Sequence, residues 1–306
     1  MEEIDLNLPS PIETITVDGA SFFLKRDDLI HGDFSGNKAR KLYCFLENDF
    51  PDIKKLISYG SNQSNAMYSM SVLAKMKGWE FEYFTDHVSE YLSQNPHGNY
   101  AKALENGMKI NCHSEFISES KNNEMPKQVQ HDKENTLFIN EGGRNKEAAW
   151  GVEMLADEII EQAKKYGFNK IFLPSGTGTT ALFLQRSLIK KGSAFKVYTT
   201  PCVGDRDYLI QQFNELEPNS IYHPVILKAQ KKYHFGKLYK ELYNIWLKLQ
   251  KQTNIEFDLL YDPIGWSVVL DNMDTFSKNT LYIHQGGLIG NISMLQRYER
   301  KYKELF

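Results

Sequence analysis

The chain has 306 residues, of which 41% are hydrophobic and 25% charged, and its formal net charge is −3 at pH 7. This composition is typical of a soluble globular protein and excludes the disordered and membrane-spanning classes, while the length allows two lobes with separate cores. The small negative charge argues against a general nucleic-acid binder, so a small molecule is the expected partner.

The cysteines and the N-terminus indicate the compartment. Cys44, Cys112 and Cys202 lie far apart and match no zinc or redox spacing, which indicates a reducing environment and no metal site. The first residues, Met1 to Asp5, are acidic and lack the basic-then-apolar order of a secretory signal. No apolar run is long enough to span a bilayer. We therefore expect a cytoplasmic protein without a membrane partner.

The first half of the chain alternates predicted strands and helices. Apolar runs predict strands at 22–28, 55–59 and 80–85, and helical periodicity predicts helices from Leu42 onwards, at 64–77 and at 100–106. This order predicts an α/β lobe with a parallel sheet. The following stretch, 113–135, is polar and aperiodic, and we assign it no function.

The second half repeats the alternation. Strands are predicted at 136–140, 170–173, 196–199 and 280–284, and helices at 146–166, through 181–188 and around 238–249. Gly167 and Gly192 end two of these helices. The sequence therefore predicts a second α/β lobe.

A lysine stands at a predicted loop-to-helix junction. Lys38 follows Ser35, Gly36 and Asn37 in a small polar turn, between the strand-like run 22–28 and the helix that includes Leu42. Because the strand and the helix hold the chain on both sides of Lys38, its side chain can be fixed in place. The alternative is an ordinary solvated lysine in a basic cluster.

The segment from Pro174 to Thr180 lies between a predicted strand and a predicted helix. Two glycines allow close backbone approach, and one serine and three threonines add hydroxyl donors. Since a helix N-terminus attracts anions, a phosphate group is the expected ligand. The segment is not a nucleotide P-loop, because no Gly-Lys-Ser/Thr follows. A turn that only caps a structural helix would look similar.

A second polar turn, 61–65, also connects a strand to a helix. Its side chains should lie at the carboxyl edge of a sheet, where open α/β sheets bind ligands. Ser64 or Asn65 could instead be a plain helix N-cap. With Lys38 and the Ser/Gly/Thr loop, this turn fits a pyridoxal 5'-phosphate (PLP) site, in which the lysine binds the cofactor and the loop holds its phosphate.

Seven segments spread along the chain carry a family resemblance. They are Lys25-Arg26-Asp27-Asp28, Gly36-Asn37-Lys38-Ala39-Arg40-Lys41-Leu42, Asn62-Gln63-Ser64-Asn65, Glu141-Gly142-Gly143, Ser175-Gly176-Thr177-Gly178-Thr179, Asp262-Pro263 and His284-Gln285-Gly286-Gly287. With them the chain resembles the fold-type II PLP enzymes related to the tryptophan synthase β subunit. Within that group it resembles the 1-aminocyclopropane-1-carboxylate deaminase / D-cysteine desulfhydrase family.

The resemblance implies a two-domain α/β fold of the fold type II PLP enzymes, each domain an open, mostly parallel sheet flanked by helices, with the cofactor between them. It places a large PLP-binding domain at residues 1–41 and 143–306, and a smaller inserted α/β domain at 42–142. A homodimer is also expected from the family.

The resemblance assigns roles residue by residue. Lys38 matches the Schiff-base lysine, Ser64 a catalytic serine near the substrate carboxylate, and Asn65 the asparagine beside the cofactor's 3-hydroxyl. Asn62 and Gln63 match the carboxylate site. The phosphate cradle corresponds to Ser175, Gly176, Thr177, Gly178, Thr179 and Thr180, with Lys41 as a further contact.

One segment departs from the family. Members that open the cyclopropane ring have a catalytic tyrosine shortly after the Asp-Pro, with a glutamate next to it near the pyridine nitrogen. Here Asp262-Pro263 is followed by 264–267, Ile-Gly-Trp-Ser, which contains neither residue. This argues against ring opening and leaves Ser267 as the candidate partner of the pyridine nitrogen.

The leading hypothesis is a PLP-dependent lyase or deaminase acting on a small amino acid. A D-cysteine desulfhydrase-like α,β-elimination would give pyruvate and ammonia, with sulfide from D-cysteine. The alternatives are 1-aminocyclopropane-1-carboxylate deaminase activity, a PLP-binding protein with little turnover, and a binder of phosphate ligands without PLP.

Overall fold

The computed structural model describes residues 5–112 and 135–306. The polar stretch predicted at 113–135 therefore lies, except for its last residue, outside the described part of the chain. Within the described ranges, no helix combines the length and the apolar character needed to cross a membrane.

The strands fall close to where apolar runs predict them. In chain order they are β1 (Ile12–Val17), β2 (Ala20–Arg26), β3 (Lys55–Tyr59), β4 (Glu80–Thr85), β5 (Met108–Cys112), β6 (Thr136–Phe138), β7 (Lys170–Ser175), β8 (Lys196–Pro201), β9 (Val225–Ile226) and β10 (Thr280–His284). Three of these, β1, β5 and β9, are not predicted from the sequence.

The structure contains more helices in the C-terminal half than the sequence predicts. They are α1 (Gly36–Glu47), α2 (Asn65–Lys77), α3 (Glu90–Gln94), α4 (Gly98–Glu105), α5 (Ala148–Tyr166), α6 (Thr179–Lys190), α7 (Arg206–Leu216), α8 (Lys240–Thr253), α9 (Asp262–Asp271), α10 (Met273–Phe276) and α11 (Gly290–Lys301). Helices α3, α7, α9 and α10 are not predicted from the sequence, and residues of α3, α7 and α9 line the cavity described below.

The strands form two separate sheets. The larger has the order β1-β2-β10-β7-β8-β9 and is parallel except for the antiparallel pair β1 and β2. The smaller, β5-β4-β3-β6, is entirely parallel. This is the predicted two-lobed α/β architecture with mostly parallel sheets. The domain boundaries at 41/42 and 142/143 stay a prediction.

Helix α1 connects the two lobes. Its residues Leu42 and Phe45 belong to the core of the smaller lobe, together with Leu56 and Phe81 from β3 and β4. Its first turn, by contrast, packs against the end of β10 in the larger sheet. A Cβ at Gly36 would lie 1.8 Å from the carbonyl oxygen of Gln285, so only glycine fits there, with φ +66°.

A buried ionic network holds α1 on the larger lobe. The guanidinium of Arg40 donates to Asp27 Oδ1 at 2.9 Å and to Glu158 Oε1 at 2.6 Å. Lys25 Nζ donates to Glu158 Oε2 at 2.6 Å, and Ser10 Oγ donates to Asp27 Oδ1 at 2.6 Å. Burial by itself raises the pKa of Asp27, but Arg40, Lys25 and Ser10 together outweigh burial and the pKa is lowered overall. Asp27 therefore stays ionised at neutral pH.

Removing one charge from this network is expected to be costly, because its partner is left buried without compensation. Asp27→Asn should lower the free energy of unfolding by about 3–5 kcal/mol, measured by urea denaturation. The matched control is Glu161→Gln on α5, which breaks only the exposed pair with Lys164. It should change stability by less than about 1 kcal/mol. Equal effects of the two variants would contradict the structural role of the network.

Candidate active site

A large cavity lies between the two lobes, with a volume of about 1140 Å³. It is lined by the turns that follow β3, β7 and β10, at the carboxyl ends of parallel strands. Of the predicted site residues, the cavity is lined by Lys38, Lys41, Gln63, Ser64, Asn65 and all six residues from Ser175 to Thr180. Elements distant in sequence therefore meet in one place.

Lys38 lies in the first turn of α1 and faces the cavity. Its Nζ donates a hydrogen bond to Asn37 Oδ1 at 3.0 Å. Burial disfavours the ammonium form and lowers the pKa of Lys38 to about 8, although the carboxylate of Asp258 acts in the opposite direction. A substantial fraction of this amine is therefore neutral, and nucleophilic, slightly above neutral pH.

Asp258 is a buried acid that the sequence analysis did not single out. Its Oδ1 accepts hydrogen bonds from the backbone N–H groups of Leu260, at 2.8 Å, and Tyr261, at 2.5 Å. Burial and the neighbouring Asp262 raise the pKa of Asp258 to about 7. The carboxyl of Asp258 thus titrates just below the amine of Lys38.

Asn65 begins α2 and is fixed from two sides. Its Oδ1 accepts from Asn99 Nδ2 at 2.6 Å, and its side chain is hydrogen bonded to Asp258. Gly287 makes room for it, because a Cβ there would lie 2.4 Å from Asn65 Nδ2. The amide is therefore held in one orientation beside Lys38 and Asp258.

The turn before α2 divides into residues inside and outside the cavity. Ser64 Oγ accepts from Ala66 N at 3.1 Å, so Ser64 is an N-cap as well as a lining residue. Gln63 is held by Ser293, whose Oγ donates to Gln63 Oε1 at 3.0 Å. Asn62 instead donates to the carbonyl oxygen of His87 at 2.6 Å and does not line the cavity.

The Ser/Gly/Thr loop connects β7 to α6 and presents a helix N-terminus to the cavity. No side chain caps this helix, which begins after Gly178. Ser175 Oγ is hydrogen bonded to Thr199 Oγ1 at 2.6 Å, and Thr177 Oγ1 to Thr179 Oγ1 at 3.0 Å. The hydroxyls are thereby ordered around backbone N–H groups that favour an anion.

A buried lysine lies beside this loop. Lys41 is 3% exposed, and its Nζ donates to the carbonyl oxygen of Gly142, a residue that packs against Thr177. In the described ranges no carboxylate forms an ion pair with it. Burial and the nearby Lys38 lower the pKa of Lys41 well below its usual value. An anion bound at the loop would supply the missing countercharge.

The segment after Asp262 packs into the core instead of the cavity. Trp266 is fully buried and stacks on Tyr282 with ring centroids 4.7 Å apart. Ser267 Oγ donates to the carbonyl oxygen of Ile264 at 2.8 Å, and Ser267 does not line the cavity. The structure therefore does not bring Ser267 together with the other predicted site residues.

A tyrosine does line this part of the cavity, but it precedes the Asp-Pro. Tyr261 lies across from Gly176, where a Cβ would be 3.4 Å from its ring. It follows Asp258 by three residues and is followed directly by Asp262, which also lines the cavity. The expected tyrosine and glutamate after Asp262 are absent, whereas Tyr261 and Asp262 form a tyrosine–acid pair that lines the cavity directly at the Asp-Pro. In the sequence, the spacing of three residues from Asp258 to Tyr261 is a feature from which these two cavity residues could have been found.

The acidity of Lys38 can be tested without any ligand. Competitive labelling of the protein with acetic anhydride, read by mass spectrometry, should give Lys38 a half-maximal reactivity near pH 8, well below the ordinary lysine value of about 10.4. Asp258→Asn should shift this midpoint further down, because the carboxylate of Asp258 favours the ammonium form. Glu299→Gln, at the outer end of the cavity, should leave it unchanged. A Lys38 midpoint above pH 10 would contradict the buried environment.

Comparison with known proteins finds relatives that align with most of the chain. No protein-family model matches it. It is 24% identical to a Thermotoga maritima protein named "Putative 1-aminocyclopropane-1-carboxylate deaminase", with 96% of this chain and 99% of the relative aligned. A Pyrococcus furiosus protein of the same name is 23% identical, over 89% of this chain and 86% of the relative.

Solved structures show the same overall fold. An ACC deaminase homologue superimposes with a TM-score of 0.80 at 21% identity, over 99% of this chain and 95% of that structure. A hydrogen sulfide-producing enzyme from Fusobacterium nucleatum gives a TM-score of 0.64 at 12% identity, over 92% and 94% of the two chains. The chain therefore has the fold of the fold type II enzymes, and its resemblance to the 1-aminocyclopropane-1-carboxylate deaminase family, first read from seven short segments, is confirmed over nearly its whole length.

Proposed function

We propose that the protein is a PLP-dependent lyase or deaminase acting on a small amino acid. The leading reaction is a D-cysteine desulfhydrase-like α,β-elimination that gives pyruvate and ammonia, and sulfide from D-cysteine. The observation that carries the proposal is the meeting of Lys38, Lys41 and the loop Ser175 to Thr180 in one cavity. A homodimer is part of the proposal and is supported by the family resemblance, and a cytoplasmic location is supported by the scattered cysteines.

The residues present fit the cofactor. Lys38 would hold it through Nζ, and the uncapped N-terminus of α6 would bind its phosphate. Lys41 is a buried lysine next to this loop, and burial, followed by the nearby Lys38, lowers the pKa of Lys41. When bound, PLP stabilises negative charge on the α carbon of an amino acid. The protein must then orient the substrate and move protons.

The residues around Lys38 can orient the substrate and move protons. Once the amino group of the substrate has displaced it from the cofactor, the freed amine of Lys38 would accept the α proton. Ser64 and Gln63 lie on the side formed by α2 and can bind the substrate carboxylate. Elimination breaks the bonds from the α carbon to hydrogen and from the β carbon to the leaving group, and water finally releases ammonia.

Ring opening of 1-aminocyclopropane-1-carboxylate is the second candidate. Two observations favour it: both relatives carry that name, and Tyr261 lines the cavity. Burial, and then the nearby Asp258, raise the pKa of Tyr261 well above its usual value. Tyr261 therefore stays a phenol at neutral pH and can donate a proton to a ring carbon.

The two candidates are separated by a substrate panel. We expect the purified protein to be yellow with bound PLP, with the colour lost in Lys38→Ala. D-cysteine, D-serine, L-serine and 1-aminocyclopropane-1-carboxylate are then compared by keto-acid release. A colourless protein that takes up no PLP would refute the proposal, and colour without keto acid from any substrate would favour a PLP-binding protein with little turnover.

Tyr261→Phe is the matched variant in this panel, because it removes only the hydroxyl. If ring opening is the activity, it should lower kcat by about 100-fold or more, the usual contribution of a positioned proton donor. Tyr233→Phe, a tyrosine outside the cavity lining, is the control and should retain kcat. An unchanged kcat in Tyr261→Phe would exclude the proton-donor role.

Lys41 gives a test of the phosphate site itself. Lys41→Met keeps the apolar stem and removes the charge, so the dissociation constant for PLP should rise at least tenfold, equivalent to about 1.4 kcal/mol. The measurement is a titration of cofactor-free protein followed by the visible band. The control, Lys165→Met on the exposed face of α5, should bind like the wild type. Equal affinity in both variants would place the phosphate elsewhere.

A further inference from the structure

Helix α11 runs along the cavity from its inner end to its mouth. At the inner end, a Cβ at Gly290 would lie 3.2 Å from Asn65 Oδ1. Ser293, Arg297 and Arg300 follow on the same face, and all of them line the cavity. With a rise of about 1.5 Å per residue, Arg297 lies about 10 Å along the axis from Gly290. Its side chain leans back towards the helix N-terminus and hence towards the inner cavity.

The mouth of the cavity is rich in positive charge. Arg297, Arg300 and Lys303 line it, opposed by the single acidic side chain of Glu299. Within the described parts of the chain, none of the three cations forms an ion pair. The neighbouring Glu304, which could have neutralised one of them, is paired with Lys240 instead.

Arg297 is half-buried and its hydrogen bonds leave its charge uncompensated. Its Nη2 donates to the carbonyl oxygen of Gly236 at 2.7 Å, and its Nη1 lies 3.3 Å from Met294 Sδ. Burial, and then repulsion from Arg300, lower the pKa of Arg297. Both contacts are to neutral groups, so they orient the guanidinium without neutralising it.

The helix dipole does not account for this arrangement. Cations are favoured in the last turn of a helix, which explains Arg300 and Lys301. Arg297 lies one turn earlier. Lys301, although it has the same dipole benefit, lies over the ring of Tyr302 and does not line the cavity. The helix dipole therefore does not explain why positive side chains gather on the face of α11 that lines the cavity.

We propose that Arg297 and Arg300 form a subsite for a second anionic group, so that the preferred substrates of the proposed elimination carry a carboxylate or a phosphate in the group that leaves the β carbon. This rests on the proposed function for the inner end, where Lys38 and the turn before α2 would receive the α-amino and α-carboxylate groups. The guanidinium group of an arginine can donate two parallel hydrogen bonds to a carboxylate or to a phosphate. Lys303 adds longer-range attraction for the incoming anion.

Binding is tested first with probes that cannot react. Glutarate and n-valerate have the same chain length and differ by one carboxylate. Calorimetry with the PLP-loaded protein at low salt should show glutarate binding at least tenfold tighter than valerate. Arg297→Met and Arg300→Gln should each reduce this preference severalfold, and the double variant should remove it. Arg206→Gln, an exposed arginine on α7 outside the cavity, is the control and should keep the preference.

Turnover then distinguishes the two anions. O-phosphoserine is compared with serine, and S-carboxymethylcysteine with S-methylcysteine, by kcat/KM for pyruvate release in wild type and in Arg300→Gln, a substitution at an exposed position. A subsite for the side-chain anion predicts that the charged member of at least one pair is preferred and that Arg300→Gln lowers its kcat/KM mainly through KM.

The proposal is overturned if the wild type binds glutarate and valerate equally, or if Arg206→Gln loses the preference as much as the cavity variants do. If the protein takes up no PLP, the proposed function fails. The calorimetric comparison on that protein still decides whether the cation-lined mouth binds a second anion, so the two failures can be told apart.

Discussion

The close approach of Gly36 to the end of β10 is the constraint on which the site depends. Any side chain at this position would overlap the carbonyl of Gln285. The contact fixes where α1 starts, and hence where Lys38, two residues later, enters the cavity. The ionic network of Arg40 with Asp27 and Glu158 holds the next turn of the same helix. The position of the reactive amine is thus set from both sides by interactions that never touch a ligand.

The sequence is informative where the chain bears local signals. Strands such as β3 and β4 follow apolar runs, and helices such as α2 and α5 follow hydrophobic periodicity and end at glycines, so their predictions agree with the structure. Lys38, Asn65 and the loop at Ser175 to Thr180 stand in short motifs directly after strands or at helix starts. Their meeting in one cavity follows from parallel topology, because strand ends converge at one edge of each sheet.

Other parts of the site have no such signal. Asp258 resembles any acidic residue in the sequence, and only burial next to Asp262 gives it unusual properties. Arg297 and Arg300 stand in a Lys/Glu-rich end that is typical of a solvated helix, and only the packing of α11 against the cavity shows that one face is turned inwards. Tyr261 directly precedes the Asp-Pro that serves as a sequence marker, and Asp262 belongs to it, whereas the residues sought after this marker, such as Trp266, lie in the core.

Lys38 and Asp258 contribute a charge to the inner cavity that depends on pH. Their pKa values of about 8 and about 7 lie close together. As the pH rises through this range, the acid ionises and the amine loses its proton, so the contribution of the pair changes from positive to negative. The two groups that face the same small volume thus exchange which of them is neutral within a narrow range of pH near neutrality.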